Sequence, residues 1–264
     1  MQAYNKLDQQ IHQLAQTIAK FNRSYAPTKA DDSHSNLAFD PISTRLLGRW
    51  VESGRGRVIM ALELPDFKFK IYDHLWQSLF SIEIDGNSQI QLELSIKSFL
   101  PQLGLDAQVF TDPMHFEITK YEFLNKPYSP WKEAELSSWA NHRSLANDAC
   151  QWLLNHLQIE AETRIWPHHF DTGIYIEPTS RVGLGFGLAM QDSMVESPYF
   201  YLSGNGLNGS EIDYSSAKNL RQGAWITNQN WKGAILKLSD ANRQTVLEFI
   251  QEVTSWYLAK TLKI

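Results

Sequence analysis

The sequence predicts an α+β fold, in which mainly antiparallel sheet packs against two long amphipathic helices, with a helical arm at the N-terminus. The main observation is that a strand-rich stretch followed by a long amphipathic helix occurs in both halves of the chain. Because only two long helices follow strands, parallel β-α-β winding fits less well. The 264 residues suffice to bury a full core, so we expect a single α+β domain over 1–264. It would consist of the arm (1–25), a linker (26–41) and a body (42–264).

The arm is predicted from one narrow apolar stripe at helical spacing. The stripe consists of Leu7, Ile11, Leu14, Ile18, Phe21 and Tyr25. Gln, Lys and Asn occupy the other faces. We expect this helix to pack on its own body or on the same arm of a second subunit, which would give a homodimer. Residues 26–41 are rich in Pro, Asp and Ser, which is typical of a linker.

Four strands are predicted in the first half of the body, at 58–64, 79–85, 90–96 and 115–121. The strict alternation from Ile90 to Ile96 favours a half-buried strand, and Asp85-Gly86-Asn87 supplies turn chemistry before it.

A long helix follows Ser129 and Pro130, because serine suits the cap and proline suits the first helical position. Its predicted apolar face consists of Leu136, Trp139, Ala146, Ala149, Cys150, Leu153 and Leu157. Strands are then predicted at 163–171, 173–177, 182–190, 198–202, 224–227 and 232–238. The last helix should be capped at Ser239 or Asp240 and bury Val246, Phe249, Ile250, Val253, Trp256 and Tyr257.

Composition excludes several classes of protein. With 24 Lys+Arg against 29 Asp+Glu and no basic stripe, nucleic-acid binding is not expected. No apolar run approaches the roughly 20 residues needed to span a bilayer, and the first 25 residues contain no signal-peptide core. Cys150 is the single cysteine, which excludes an internal disulfide and fits a reducing compartment. We therefore expect a soluble cytoplasmic protein without a membrane partner.

The segment from Arg164 to Gly173, RIWPHHFDTG, is the densest group of residues that could carry chemistry. On a regular strand His169 and Asp171 would share one face, opposite Trp166, His168 and Phe170. Two imidazoles and a carboxylate are candidate ligands of a divalent metal or a general-base pair. The alternative is that one histidine is a hydrogen-bonded core residue and that Asp171 caps a turn.

The Trp-Pro-His-His-Phe-Asp segment, followed by Pro198-Tyr-Phe-Tyr201, resembles an uncharacterised bacterial domain-of-unknown-function family. That family has a similar aromatic–His–Phe–Asp strand and then a proline-led aromatic strand. The resemblance extends from about Trp50 to the last helix. It implies that His168, His169, Phe170 and Asp171 are a shared feature, and it implies no activity or substrate.

Two further features have a structural and a functional interpretation. Gly183, Gly185 and Gly187 fall on one face of a predicted strand, either for packing under aromatic rings or as a flat floor for a planar ligand. Four arginines, Arg45, Arg49, Arg55 and Arg57, form either a solvated edge or an anion site.

Three functional hypotheses remain open. The first is binding of a small organic ligand in an aromatic pocket, on the basis of residue type and expected strand adjacency. The nine Trp, ten Tyr and thirteen Phe form either a thick core between sheet and helices, which composition alone favours, or the lining of such a pocket. Its predicted lining residues are Trp166, His168, Phe170, Tyr199 and Tyr201, with the glycine strip as floor. The second is a metal-dependent hydrolase, and its predicted ligands are His169 and Asp171, with His168 as a ligand or proton carrier and Glu177 or Glu196 as further carboxylates. The third is a structural, dimerising protein without an active site.

Overall fold

The computed structural model describes residues 1–261, of which Lys260 and Thr261 are described by their backbone alone. The chain divides into two compact units. The N-terminal unit comprises Gln2–Asn141 and Ile165–Phe170, and the C-terminal unit comprises His142–Arg164 and the chain from Asp171 onward, together with Met1. Each unit contains antiparallel sheet, so the α+β class is confirmed. The expectation of a single domain stays a prediction.

The N-terminal unit has one six-stranded sheet and two complete helices. The sheet order is β1-β2-β4-β5-β6, with β3 beside β4, and every pair is antiparallel. Its elements are α1 (Gln2–Tyr25), β1 (Ala38–Asp40), β2 (Arg45–Leu47), β3 (Val51–Ser53), β4 (Gly56–Glu63), β5 (Lys68–Asp73), β6 (Ser78–Glu83) and α2 (Gln89–Phe99). The predicted strands at 58–64 and 79–85 are confirmed as β4 and β6.

Helix α1 is a buried element of the N-terminal unit, which corrects the expectation of an arm with polar outer faces. The predicted stripe from Leu7 to Phe21 is buried, but so are Gln13, Gln16 and Asn22 on the other faces. The helix contacts β3, β4 and α2 of its own unit. The stripe is thus covered within the chain and offers little free surface to a second copy. Dimerisation stays a prediction.

The linker prediction for 26–41 is also wrong in its second half. Residues 33–35 form a buried 3-10 helix, and Ala38–Asp40 is strand β1. The amide of Asn22 in α1 donates to the carbonyl of Asn36 at 3.0 Å, which fixes this segment to the helix.

The C-terminal unit contains five strands of the second sheet, in the order β11-β12-β10-β9-β8. Its elements are β8 (Asp171–Thr179), β9 (Val182–Ala189), β10 (Tyr199–Gly206), β11 (Ala224–Thr227), β12 (Lys232–Lys237) and α4 (Arg243–Thr261). In strand β7 (Arg164–Trp166), the boundary between the units follows Arg164. The boundary between the units falls within helix α3 (Glu133–Leu157), after Asn141. The described residues therefore contain four α-helices, not only the arm and two long helices.

Helix α4 begins later than predicted. Ser239 and Asp240 lie in a 3-10 turn, and Asn242 caps the helix by accepting from the backbone N–H groups of Gln244 and Thr245. An Asn side chain at this position satisfies donors that the first helical turn leaves unpaired.

Two predicted strands are wrong. Residues 90–96 belong to helix α2, in which Leu92 and Ile96 are buried while Ile90 and Leu94 face solvent. Residues 115–121 form no strand. Side-chain contacts hold this segment instead, such as the ring contact of Phe116 with His168 at 5.5 Å.

Among the residues that the structure describes, no helix combines the length and apolar character needed to span a membrane.

Candidate functional site

The Trp-Pro-His-His-Phe-Asp segment forms a tight turn rather than a continuous strand. Strand β7 ends at Trp166, and the N–H of Phe170 donates back to the carbonyl of Trp166 at 2.6 Å. Phe170 has a φ of +54°, which costs a residue with a side chain about 1 to 3 kcal/mol. The predicted strand over 163–171 is therefore too long, and its two-face arrangement of the histidines does not apply.

Helix α1 anchors this turn through one carbonyl. The Nε2 atoms of His12 and Gln16 lie 2.8 and 2.7 Å from the carbonyl oxygen of Pro167. Because a carbonyl can only accept, His12 carries its proton on Nε2, and its Nδ1 accepts from the hydroxyl of Tyr121 at 2.8 Å. Burial raises the pKa of Tyr121 above its usual value, and the charge of Asp8 raises it further.

Phe170 is fully buried and completes the anchor. Its ring stacks on His12 with centroids 5.1 Å apart and on Trp139 at 6.4 Å. The indole N–H of Trp139 in turn donates to Asp8 at 2.7 Å. The motif therefore stabilises the N-terminal unit, and Phe170 has no free face for a ligand.

The other residues of the turn lie at its surface. His169 is exposed, and Trp166 and His168 are half-buried. The rings of His168 and His169 have centroids 4.4 Å apart. Trp166 and His168 contact edge to face at 6.1 Å.

Asp171, Tyr199 and Tyr201 belong to the C-terminal unit, where the structure brings them together. The hydroxyl of Tyr201 donates to Oδ2 of the buried Asp171 at 2.5 Å. Tyr199 is also buried and donates to Asp192 at 2.7 Å. Burial raises the pKa of Tyr201 well above its usual value, and the neighbouring charge of Asp171 adds to the effect. These phenols therefore act as neutral hydrogen-bond donors.

The predicted pocket and metal residues are thus divided between the two units. Trp166, His168, His169 and Phe170 lie in the N-terminal unit, whereas Asp171, Tyr199 and Tyr201 lie in the C-terminal unit. Within the part of the chain that the structure describes, no group of three or more His, Cys, Asp or Glu residues could hold a metal ion. Glu177 and Glu196, the further carboxylates of the hydrolase hypothesis, are both exposed.

The glycine strip of β9 is occupied by neighbouring side chains and backbone. A Cβ added to Gly183 would lie 2.1 Å from the hydroxyl of Tyr175, and one added to Gly187 would lie 2.5 Å from the carbonyl of Thr172. The geometry favours packing of the strip and leaves no flat floor for a ligand there.

A groove in the C-terminal unit contains aromatic rings that remain partly exposed. The rings of Trp225 on β11 and Trp256 on α4 have centroids 4.6 Å apart and are inclined by 54°. They line a cavity of about 430 Å³. Tyr214 and Tyr257 pack against both tryptophans, with ring centroids 5.0 to 6.2 Å from them and from each other. We call this feature the aromatic groove.

Hydrogen bonds fix the rings of the aromatic groove. The indole N–H of Trp225 donates to the carbonyl of Lys218 at 3.0 Å. The hydroxyls of Tyr214 and Tyr257 are 3.0 Å apart. Burial raises the pKa of Tyr257 above its usual value, and the contact with Tyr214 raises it further.

Polar side chains form the rim of the groove. Lys218, Glu252 and Ser255 are among its lining residues. Oε2 of Glu252 accepts from the backbone N–H of Arg221 at 3.1 Å and lies 3.5 Å from its Nε. The groove can therefore contact a ring with its walls and a polar group with its rim.

The sequence pattern predicts the correct secondary-structure elements for Trp225 and Trp256, but it does not predict that the two residues form a site. Trp225 was expected on a strand and Trp256 on the buried face of the last helix. The structure leaves both half-buried. The available signal was the high tryptophan content, which does not indicate which rings stay accessible.

No protein-family model, no curated protein and no solved structure matches this chain. The resemblance of the Trp-Pro-His-His-Phe-Asp segment to an uncharacterised bacterial family therefore stays a prediction.

Proposed function

We propose that this protein binds a small organic ligand with a flat ring in the aromatic groove of the C-terminal unit. The observation that carries the proposal is the pair of half-buried tryptophans, Trp225 and Trp256, which form a corner beside a cavity of about 430 Å³. Cavities that bind small molecules have volumes of about 300 to 1,000 Å³ and are lined mainly by apolar and aromatic groups.

The inclination of the two indoles favours a ring as ligand. At 54°, a ring that stacks on one indole presents its edge towards the face of the other. Both arrangements are favourable for aromatic rings and contribute about 0.5 to 1.5 kcal/mol each beyond buried area. Because Trp225 is held by Lys218 and Trp256 by its tyrosine neighbours, little side-chain freedom is lost on binding.

The rim supplies specificity for a polar substituent. Lys218 lines the groove, and its ammonium group can pair with an acidic group of a ligand. Glu252 and Ser255 on α4 also line the groove and add an acceptor and a hydroxyl.

This proposal keeps the predicted class of function but changes the residues. Phe170 and Tyr199, two of the predicted lining residues, are 0% and 4% exposed. A ligand could reach them only after repacking. The metal-dependent hydrolase has no supporting ligand set among the described residues, so we do not propose it.

The test uses the fluorescent probe 8-anilinonaphthalene-1-sulfonate, which combines aromatic rings with an anionic group. We expect saturable fluorescence enhancement with the full-length protein, and a loss of about tenfold or more in affinity in Trp256→Ala, since this variant removes one wall. Trp152→Ala is the matched control, because Trp152 is another half-buried tryptophan of this unit but lines a different cavity.

Unchanged binding by Trp256→Ala, or a loss confined to Trp152→Ala, would contradict the proposal. Thermal unfolding of each variant checks that the chain is folded. Trp256→Phe keeps a ring and should retain most of the affinity, which separates loss of the wall from loss of the fold.

A further inference from the structure

The aromatic groove has two charged residues among its lining side chains, Lys218 and Glu252. The charge of Glu252 is already paired, because its Oε2 accepts from the backbone N–H of Arg221 at 3.1 Å and lies 3.5 Å from the Nε of the same residue. Glu248, one turn earlier on α4, accepts from the amide of Gln222 at 3.0 Å and does not line the groove. The acidic groups on this side are therefore engaged within the protein and offer little to a cationic ligand.

Lys218 carries the charge of the groove that the protein leaves unpaired. Within the part of the chain that the structure describes, no carboxylate forms an ion pair with its ammonium group. Its backbone carbonyl accepts from the indole N–H of Trp225 at 3.0 Å, which fixes the start of the lysine side chain beside the edge of this ring. The groove therefore holds an aromatic wall and an unpaired positive charge within one side-chain length of each other.

The charges beside Tyr214 do not alter this balance. Asp213 is its neighbour in the chain, and the carboxylate of Asp213 accepts from the backbone N–H and the hydroxyl of Ser215, both at 2.8 Å. The Nζ of Lys232 lies 5.9 Å from the centroid of the Tyr214 ring. Because Asp213 and Lys232 carry opposite charges, together they leave the positive charge of Lys218 uncompensated.

We infer that the ligand of the aromatic groove is an aromatic carboxylate with a single negative charge, and that Lys218 is the residue that selects it; this inference rests on the function proposed above. A ring stacked on the indole of Trp225 or Trp256 leaves a carboxylate substituent at the rim, where the ammonium group of Lys218 can donate to it. One ammonium group compensates one negative charge. A second charge, as on a phosphate monoester, would meet the carboxylate of Glu252, which lines the same groove.

A quaternary ammonium ion is the main competing ligand, because clusters of aromatic rings also bind cations. An aromatic cage encloses its cation between ring faces. The centroids of Trp225 and Trp256 are 4.6 Å apart, so the two indoles contact each other and leave no space between them for a trimethylammonium group. Lys218 in the same groove would also repel a cation. Both observations favour the anion.

The test compares two ligands that share an indole ring and differ in charge, indole-3-acetate and indole-3-acetamide. Isothermal titration calorimetry with the full-length protein at low salt should give an affinity about fivefold higher for the carboxylate, as expected for one exposed ion pair. The preference should shrink at about 500 mM salt, because ions screen the exposed Lys218. The affinity for the uncharged amide should depend much less on salt.

Lys218→Met removes the charge but keeps an unbranched side chain and the backbone carbonyl that holds Trp225. We expect this variant to bind the two ligands with equal affinity, and to bind the amide as tightly as the parent does. Lys237→Met is the matched control for net charge. In β12, Lys237 faces the opposite side of the sheet from Ala234, the register partner of Trp225, so the preference for the carboxylate should remain about fivefold.

The outcomes separate this inference from the proposed function. Equal affinities of the parent for both ligands, lost together in Trp256→Ala, would leave the aromatic groove as the site and overturn its selectivity for carboxylates. A carboxylate preference that persists in Lys218→Met would overturn the role of Lys218. Choline that binds more tightly than indole-3-acetate, and no longer binds Trp256→Ala, would overturn the inference in favour of a cation. Absence of binding of either indole ligand would also overturn it, and the proposed function fails as well if 8-anilinonaphthalene-1-sulfonate does not bind.

Discussion

Replacement of Phe170 by alanine is the sharpest test of the role assigned to the Trp-Pro-His-His-Phe-Asp turn. The ring is fully buried and stacks on His12 and Trp139. Truncation of a buried phenylalanine to alanine costs about 3 to 5 kcal/mol, because it combines lost burial with a residual cavity. With a urea dependence of about 3 kcal/mol per molar, the unfolding midpoint should fall by about 1 M or more.

The positive φ of Phe170 predicts which of two variants, Phe170→Gly or Phe170→Ala, is the more stable. Inside helices and strands, glycine makes a protein less stable than alanine does by about 0.5 to 1 kcal/mol, because glycine loses more backbone entropy on folding. At a φ of +54° alanine instead has a steric cost of about 1 to 2 kcal/mol that glycine avoids. Phe170→Gly should therefore be more stable than Phe170→Ala by about 0.5 to 1 kcal/mol.

Urea unfolding followed by circular dichroism measures both differences. His169→Ala is the matched control, because its side chain is exposed in the same turn and should change stability by less than about 0.5 kcal/mol. A parent-like midpoint for Phe170→Ala would refute the anchoring role. A glycine variant less stable than the alanine variant would refute the assigned backbone conformation.

Three further predictions follow from the same structure. Gly187→Ala should destabilise the protein by about 2 kcal/mol or more, because the new Cβ would meet the backbone of Thr172 and Gly173. Gly183→Ala should destabilise it less, since the Tyr175 side chain can move away. Calorimetry that ranks the two variants in the opposite order would contradict the packing of the strip. Burial raises the pKa of Tyr25 to about 12, and burial also raises that of Tyr121. As the pH rises, the unfolded chain therefore releases these protons before the folded chain does, and the stability should decline above about pH 10. A urea midpoint that stays constant or increases from pH 9 to pH 11 would show that the phenols are not buried as described. Deletion of residues 1–25 should unfold the N-terminal unit rather than convert a dimer into a monomer, because α1 contacts β3, β4 and α2. If the truncated chain instead unfolds cooperatively and has half the parent mass by light scattering, the dimerising arm is supported.

The elements that could be predicted are those in which local pattern and tertiary burial agree. In α4, Val246, Phe249, Ile250 and Val253 repeat at helical spacing, and all are buried. Strand β9 was predicted over 182–190 and extends over Val182–Ala189. Here the period of the apolar residues identifies both the type of element and the face that it buries.

Helix α2 shows how an alternating pattern can mislead. Ile90, Leu92, Leu94 and Ile96 alternate as in a strand, but as a helix the segment buries only Leu92 and Ile96. The opposing signal was local: the side chain of Gln91 accepts from the N–H of Ser88 at 2.8 Å, as in a capping box. Exposure of two large apolar residues is a cost that no periodicity rule anticipates.

The burial of α1 could not be read from the sequence, because the partners of its polar residues are distant along the chain. The amide of Gln16 binds the carbonyl of Pro167, and Oδ1 of Asn22 accepts from the N–H of Arg49. Buried polar groups are stable only when such partners exist. A helix with several glutamines outside its apolar stripe therefore looks solvated until the fold supplies those partners.

The same reasoning explains why the candidate site moved from Phe170 and Tyr199 to Trp225 and Trp256. All four residues have large aromatic rings in apolar patterns, so the sequence alone does not indicate which of them line a pocket. What separates them is whether neighbouring elements cover the ring. Phe170 is enclosed by α1 and α3, whereas Trp256 lies on the flank of α4, one residue from the fully buried Tyr257, and stays partly open. Binding requires rings that the fold holds firmly but covers incompletely, and only the three-dimensional arrangement distinguishes them from rings of the core.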